Sequence, residues 1–131
     1  MLFRSLALKA SVEAAYPTQG KKRQERGTQR TLVFDEIDTG IGGRAAEAVG
    51  KKLKSLSRSH QVLCVTHLPQ IATFGDQHYL IEKKQSAGRT RASIRPVTGD
   101  ERTEEVARML SGAKLTDTSR KHAEQMIKAN A

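Results

Sequence analysis

Residues 31–43, TLVFDEIDTGIGG, decide the fold of this chain. The run from Thr31 to Phe34 is short, apolar and rich in β-branched residues, which predicts a buried strand. The acidic pair Asp35-Glu36 follows the strand directly, and a turn punctuated by three glycines follows the acids. A buried strand that ends in two carboxylates and a glycine turn is typical of a site at the rim of a sheet.

The next elements predict how this strand is paired. Residues 44–58 predict a helix, and Gln61–Thr66 predicts a second buried strand that ends at His67. The inward face of the helix is predicted to comprise Ala45, Ala48, Val49, Leu53 and Leu56. The order β-α-β with a crossover helix predicts a parallel pair with a right-handed connection. Ligands gather at the carboxyl ends of such strands, where the acids and His67 lie.

The remaining chain predicts further helices and a hairpin. We expect a helix over 2–15, an exposed basic loop over 17–30, a short helix from Pro69, strands over 78–84 and 90–97, and helices over about 101–111 and 117–129. Thr98 and Asp100 are candidate N-caps, and Gly112 is a candidate stop signal. The fold class is therefore α/β: parallel strands with a crossover helix, then a β-hairpin and two C-terminal helices.

Composition limits the function classes. The chain has 131 residues, enough for a single domain, and a net charge of +9, which favours polyanionic partners such as DNA, RNA or nucleotides. The apolar runs are all shorter than the roughly 20 residues that a membrane helix needs, so we expect a cytoplasmic protein without a membrane partner. The single cysteine, Cys64, lies in an apolar run and is predicted to pack in the core.

The residues at the two strand ends suggest phosphoryl-transfer chemistry. Asp35 could hold Mg²⁺ through water, because this ion prefers oxygen ligands. Glu36 could orient and deprotonate an attacking water, and His67 could bond a phosphate oxygen or that water. Simpler explanations stay open at this point: the acids could merely cap a strand, and His67 could be an ordinary loop residue. His60, His78 and His122 have no partners at metal-ligand spacing and are predicted to be structural or surface residues.

These segments resemble the RecN family, bacterial double-strand-break repair proteins in the SMC-like branch of ABC ATPases. TLVFDEIDTGIGG is similar to the family's Walker B and D-loop segment, and VLCVTHLPQIATFGDQHYLIEK is similar to its histidine-switch segment. TEEVARMLSG resembles its C-terminal part. The resemblance covers roughly residues 31–131, and LALKA is a weaker match to the helix behind the ABC signature. It implies a partial P-loop NTPase lobe of ABC type, a single domain over 1–131.

The resemblance also implies a role for individual residues. Asp35 resembles the Walker B aspartate that supports Mg²⁺, and Glu36 resembles the catalytic glutamate. Asp38 resembles the D-loop aspartate, which communicates across a head dimer that sandwiches ATP. His67 resembles the switch histidine that senses the γ-phosphate. The glycines that would let the D-loop turn tightly beside the nucleotide are Gly40, Gly42 and Gly43.

The chain departs from the family's pattern in what it lacks. It contains no G-x-x-x-x-G-K-[ST] phosphate loop and no serine-glycine-glycine signature, and residues 18–29 look like an insertion before Walker B. We therefore expect a fragment of a longer gene product, or the product of a broken or mis-started gene, without ATPase activity of its own. The complete head would bind ATP and Mg²⁺, act on DNA in repair and recombination at the nucleoid, and pair with its N-terminal lobe or a second head.

Two alternatives stay open. The first is a non-catalytic module that binds nucleic acid through its net charge and the basic residues of 21–30, among them Lys21, Lys22, Arg23 and Arg26. The second is an inactive, poorly folding gene product with exposed strand edges.

Overall fold

The computed structural model describes residues 30–131 and the backbone of residues 4–7, and it shows an α/β fold. Within this part of the chain, five strands form one sheet in the order β2-β3-β1-β4-β5. The strands are β1 (Arg4–Ala7), β2 (Thr31–Asp35), β3 (Gln61–Thr66), β4 (His78–Ser86) and β5 (Arg89–Val97). The helices are α1 (Gly43–Leu56), α2 (Pro69–Ala72), α3 (Gly99–Ser111) and α4 (Asp117–Asn130).

The predicted β-α-β unit is confirmed, but its first strand is not buried. β2 pairs parallel with β3, in a register that sets Thr31 opposite Gln61 and Asp35 opposite Val65, and α1 connects the two strands. β2 lies at one edge of the sheet, and its side chains alternate between exposed and half-buried. Val33 is 67% exposed. The prediction of a buried strand was wrong because an apolar run does not reveal whether both faces of a strand are covered.

The inward face of α1 is confirmed at Leu53, which is buried, and at Val49 and Leu56, which pack against the core, but not at the two predicted alanines. Ala46, Gly50 and Leu53 are buried, whereas Ala45 and Ala48 are exposed. The inward face also includes Gly50, where an added Cβ would lie 2.3 Å from Cδ2 of Phe74. The absence of a side chain there lets α1 and α2 approach closely. The apolar pattern missed Gly50 because glycine carries no hydrophobic signal.

The helix predicted over 2–15 is wrong where the structure describes it. Residues Arg4–Ala7 form β1, which pairs antiparallel with both β3 and β4 in the middle of the sheet. Two flanking strands offer hydrogen bonds to both sides of this segment, and such tertiary pairing overrides a weak local helix preference. The rest of 2–15 lies outside the described residues, as does the predicted basic loop up to residue 29.

The second half of the chain forms the hairpin and helices that the sequence predicts. β4 and β5 pair antiparallel through a two-residue turn at Ala87-Gly88, and α3 packs against α4. Gly112 ends α3 with a φ of 73°, and Thr98 rather than Asp100 is its N-cap. The sequence did not reveal the capping box at the start of α4, in which Thr116 and Ser119 exchange hydrogen bonds.

Two hydrophobic clusters lie in the described residues, and polar contacts join them. One cluster lies between α1, β3 and α2, and the other lies between α3 and α4. Asn130, at the end of α4, donates from Nδ2 to Thr73 Oγ1 at 2.9 Å and accepts from Lys54 Nζ of α1 through its carbonyl at 2.8 Å. These contacts hold the last helix against the first cluster. No helix in the described part of the chain is long and apolar enough to cross a membrane.

Candidate nucleotide site

The carboxyl ends of β2 and β3 place the acidic pair and the histidine at one edge of the sheet. Asp35 is in register with Val65, so Glu36 and His67 leave their strands at nearly the same level. Neighbouring strands lie about 4.8 Å apart, which puts both residues on a common rim. Asp35 and Glu36 are exposed, and the His67 side chain is 66% exposed. All three are therefore accessible to a ligand approaching this edge.

The chain turns sharply as it leaves β2. Glu36 has a φ of 56°, in the left-handed region that a residue with a side chain adopts at a cost of about 1–2 kcal/mol. The Glu36 carbonyl accepts hydrogen bonds from Thr39 N–H at 3.3 Å and from Thr39 Oγ1 at 3.0 Å, which stabilise the turn. Gly40 and Gly43 also have positive φ, at 75° and 51°. Backbone strain of this kind, at a residue with an exposed acidic side chain, is common in functional sites.

Gly42 differs from the other two glycines of this turn. It is the N-cap of α1 with a φ of −154°, an extended conformation open to any residue. The positive φ that favours glycine in a tight turn is therefore found at Gly40 and Gly43 but not at Gly42.

Asp38 is buried at the junction of the two strand ends and is only 4% exposed. Its Oδ2 accepts hydrogen bonds from Thr66 Oγ1 at 2.6 Å and from the His67 backbone N–H at 2.9 Å. Thr66 Oγ1 in turn accepts from the Leu68 N–H at 3.0 Å. This network ties the turn after β2 to the end of β3 and fixes the relative position of the two segments.

The Asp38 carboxylate also contacts the imidazole of His67. Its Oδ2 lies 3.0 Å from His67 Nδ1, a distance at which a protonated Nδ1 donates a hydrogen bond. A carboxylate that holds Nδ1 orients the ring and leaves Nε2 for another partner. Asp38 is therefore a positioning residue for His67 within this chain.

The environment keeps Asp38 ionised. Burial alone would raise its pKa, but the hydrogen bonds from Thr66 and His67 and the charge of the nearby imidazole outweigh burial and lower the pKa below its usual value. A buried carboxylate with this many donors is stable only as the anion at neutral pH.

Cys64 lies in the core near this carboxylate, as the sequence predicts. It is fully buried, and burial, followed by the negative charges of Asp38 and Asp35, raises the pKa of its thiol to about 12. The thiol is therefore protonated and unreactive at neutral pH.

The donor set at this edge fits part of a metal site. Asp35 offers exposed carboxylate oxygens, the ligand type that Mg²⁺ prefers, and Glu36 lies beside it. No group of three or more histidine, cysteine, aspartate or glutamate side chains is arranged to hold a metal ion within the part of the chain that the structure describes. Asp35 by itself would thus supply only part of the ligand set of a Mg²⁺ ion at this edge.

Thr66 is the residue that sequence reasoning missed. It is 2% exposed and donates the shortest hydrogen bond that Asp38 receives. A polar β-branched residue in the last position of an apolar strand, directly before a histidine, was the available signal. The contact between Asp38 and His67 was not predicted either, because the resemblance assigned Asp38 to communication across a dimer.

Fold and site together define the class: an α/β segment that presents paired acids and a carboxylate-held histidine at the carboxyl edge of two parallel strands. No protein-family model matches the chain. DNA repair protein RecN of Bacillus subtilis (strain 168) is 41% identical over 98 residues, 75% of this chain and 17% of that protein. RecN of Mycobacterium leprae (strain TN) is 48% identical over 100 residues, 76% of this chain and 16% of that protein.

RecN of Streptomyces coelicolor is 45% identical over 97 residues, 74% of this chain and 17% of that protein. The resemblance to RecN is confirmed by these matches, which are consistent with a C-terminal fragment of such a protein. The chain spans about a sixth of the length of the curated relatives that it matches.

Proposed function

We propose that this chain supplies the water-activating side of the nucleotide site in a RecN-like ATPase of DNA double-strand-break repair and recombination. The observation that carries the proposal is the Asp38 network, which joins the acidic turn after β2 to His67 after β3. The fold is proposed to be one lobe of a P-loop NTPase head of ABC type, with the chain as a single domain. The partner polypeptide, either an N-terminal lobe or a second head, would provide the phosphate loop and the signature.

Each site residue has a proposed role in this complete head. Asp35 would hold Mg²⁺ through water, and the bound ion would supply neutralisation of phosphate charge. Glu36 would orient a water and take its proton at the carboxylate. His67, with Nδ1 held by Asp38, would donate from Nε2 to a phosphate oxygen or to that water. The D-loop turn, with Gly40, Gly42 and Gly43, would lie against the nucleotide of the partner head.

The sequence lacks the phosphate-binding half of the proposed nucleotide site. Phosphate binding in P-loop proteins rests on oriented backbone N–H groups and a lysine, and this motif is absent from the sequence. The isolated 131-residue chain is therefore expected to hydrolyse no ATP. DNA is the proposed substrate of the complete assembly, at the nucleoid in the cytoplasm.

The proposal is tested by complementation. The chain is mixed with a RecN polypeptide that carries the phosphate loop and signature but ends before Walker B, and phosphate release is measured. We expect hydrolysis from the mixture and from neither part alone. Glu36→Gln should abolish hydrolysis, whereas Glu124→Gln, on the exposed surface of α4, should retain it. Equal activity of these two variants would contradict the role of Glu36.

A further inference from the structure

The outer end of the β4–β5 hairpin carries positive charge that is not paired with any acidic side chain in the described part of the chain. Lys84, Arg89 and Arg91 are exposed, and none of them forms an ion pair with another described residue. Arg95, nearer the base of the hairpin, differs because it pairs with Glu101 of α3 at 2.5 Å. The charge at the outer end is therefore available to a partner.

The strand register gathers these cations on one face. Lys84 lies directly opposite Arg91, and Arg89 lies opposite Ser86, two pairs further towards the turn. Side chains two residues apart share a face of the sheet, so all three cations point to the same side. We call these three residues the cationic face. Like charges directly opposite each other destabilise a strand pair, and a bound polyanion would relieve that repulsion.

The hairpin presents the cationic face on a narrow, well-defined ribbon. Its turn residues Ala87 and Gly88 both have positive φ, at 49° and 74°, as in the tight turns that match the twist of paired strands. β5 is an edge strand, and it is exposed along its whole length except at Val97. A two-stranded ribbon of this kind fits the major groove of B-form DNA, which is about 12 Å wide.

We propose that the cationic face binds the phosphate backbone of duplex DNA. Arg89 and Arg91 are two residues apart, about 6.8 Å along the strand, and the same length of duplex carries about four phosphate charges. No aromatic residue lies between Glu82 and Arg95, so the outer end of the hairpin offers no platform on which the bases of a single strand could stack. The inference does not depend on the nucleotide site, because it uses none of that site's residues.

The competing explanation is that the cations only protect the exposed edge of β5. Charged side chains on an edge strand discourage pairing with another sheet, and this role needs no ligand. The two explanations differ in what neutralising the charges does. Loss of edge protection produces self-association, whereas loss of a binding face lowers the affinity for DNA.

The test measures binding of the full chain to a fluorescent 30-base-pair duplex by anisotropy, between 50 and 200 mM salt. A triple variant carries Lys84→Gln, Arg89→Gln and Arg91→Gln. The matched control carries Lys52→Gln, Arg58→Gln and Lys121→Gln, three exposed positions outside the hairpin. Both variants lower the net charge from +9 to +6, so any difference between them reports position and not total charge. Circular dichroism checks that each variant folds.

Loss of three phosphate contacts should reduce the slope of log affinity against log salt by about 2.7. Over this salt range, those contacts account for roughly a 40-fold change in affinity. We expect this reduction in the hairpin variant and a much smaller one in the control. Equal losses in the two variants would overturn the proposal, as would duplex binding that the hairpin variant retains in full. Tighter binding of single-stranded DNA or of polyglutamate than of the duplex would overturn it too.

A single substitution keeps the proposal testable if the triple variant fails to fold. Arg91→Glu would place an acid opposite Lys84, which replaces a repulsive pair by an attractive one. The melting temperature should stay the same or rise, while affinity for the duplex falls by about tenfold or more. Unchanged duplex affinity in this variant would refute the proposal without any concern about folding.

Discussion

At the scale of single residues, Asp38 connects the turn after β2 to the end of β3. It receives hydrogen bonds from Thr66 and His67 across the gap between two strand ends, and it contacts the His67 ring. The sequence identified Asp38 through its place in a motif, not through these contacts. Hydrogen bonds between residues 28 and 29 positions apart cannot be predicted from local pattern, because they depend on how the two strands pair.

Replacement of Asp38 should therefore affect stability as well as function. Asp38→Ala leaves the Thr66 hydroxyl and the His67 N–H without their acceptor, and the expected loss is about 1–3 kcal/mol in the free energy of unfolding. Urea denaturation monitored by circular dichroism measures it. Asp35→Ala, which removes an exposed carboxylate from the same turn, is the control and should stay within about 0.5 kcal/mol. If the two substitutions cost the same, the Asp38 network does not contribute as described.

His78 makes stability depend on pH. It is 2% exposed, neither ring nitrogen has a hydrogen-bond partner among the described residues, and burial, followed by the charge of Arg102, lowers its pKa from 6.5 to about 4. The unfolded chain therefore binds a proton between pH 6.5 and 4 that the folded chain does not. Stability contributed by neutral His78 is present above pH 6.5 and is lost as the pH falls through this window.

The expected loss from His78 between pH 7 and pH 5 is about 2 kcal/mol in the free energy of unfolding, from urea midpoints at the two values. His78→Phe should remove most of this difference, because phenylalanine takes up no proton. Asp38 does not interfere: its pKa is lowered below 3.8, so its contribution is lost only in more acidic solution. A pH dependence that persists unchanged in His78→Phe would show that another group is responsible.

The elements differ in how far their sequences reveal them. β3, α3, α4 and the hairpin follow their apolar patterns and turn residues closely, since each has a clear period and a clear stop. β1 was mistaken for a helix because its position in the middle of the sheet is decided by β3 and β4, not by its own four residues. The exposure of β2 was missed for a similar reason, since burial depends on what covers a strand.

The contact between α1 and α2 gives a prediction at the scale of elements. An alanine at position 50 would bring its Cβ to 2.3 Å from Phe74 Cδ2 and 3.0 Å from the Gln70 carbonyl oxygen. Gly50→Ala should therefore destabilise the protein by about 1–3 kcal/mol, although alanine favours the helix itself by about 1 kcal/mol. Thermal denaturation measures the effect. Ser55→Ala, at an exposed position of α1, should be neutral or slightly stabilising, and a stabilising Gly50→Ala would contradict the close approach.

At the scale of the whole molecule, the chain combines the proposed nucleotide site with the cationic face of the hairpin. The acids and His67 lie at the edge formed by β2 and β3, and the cationic hairpin extends from the opposite side of the sheet. The resemblance to RecN singled out the residues of the first feature, and the parallel pairing of β2 and β3 brings them to one edge, while their roles stay a proposal. The hairpin's charge became interpretable only with the strand register, which places Lys84 against Arg91.

The proposal that two polypeptides share the nucleotide site also concerns the whole molecule. In our account this chain activates water while a partner polypeptide grips the nucleotide, so binding and hydrolysis should be separable. A chimera can test this, with the matching segment of Bacillus subtilis RecN, which is 41% identical over 98 residues, replaced by residues 31–131 of this chain.

The most direct measurement is single-turnover ATP hydrolysis by this chimera, alongside nucleotide affinity measured with a fluorescent ATP analogue. We predict that the unsubstituted chimera hydrolyses ATP, and that Glu36→Gln lowers the rate by at least about 100-fold while ATP affinity changes little. A Glu36→Gln chimera that hydrolyses ATP at the unsubstituted rate would contradict the assignment of this site.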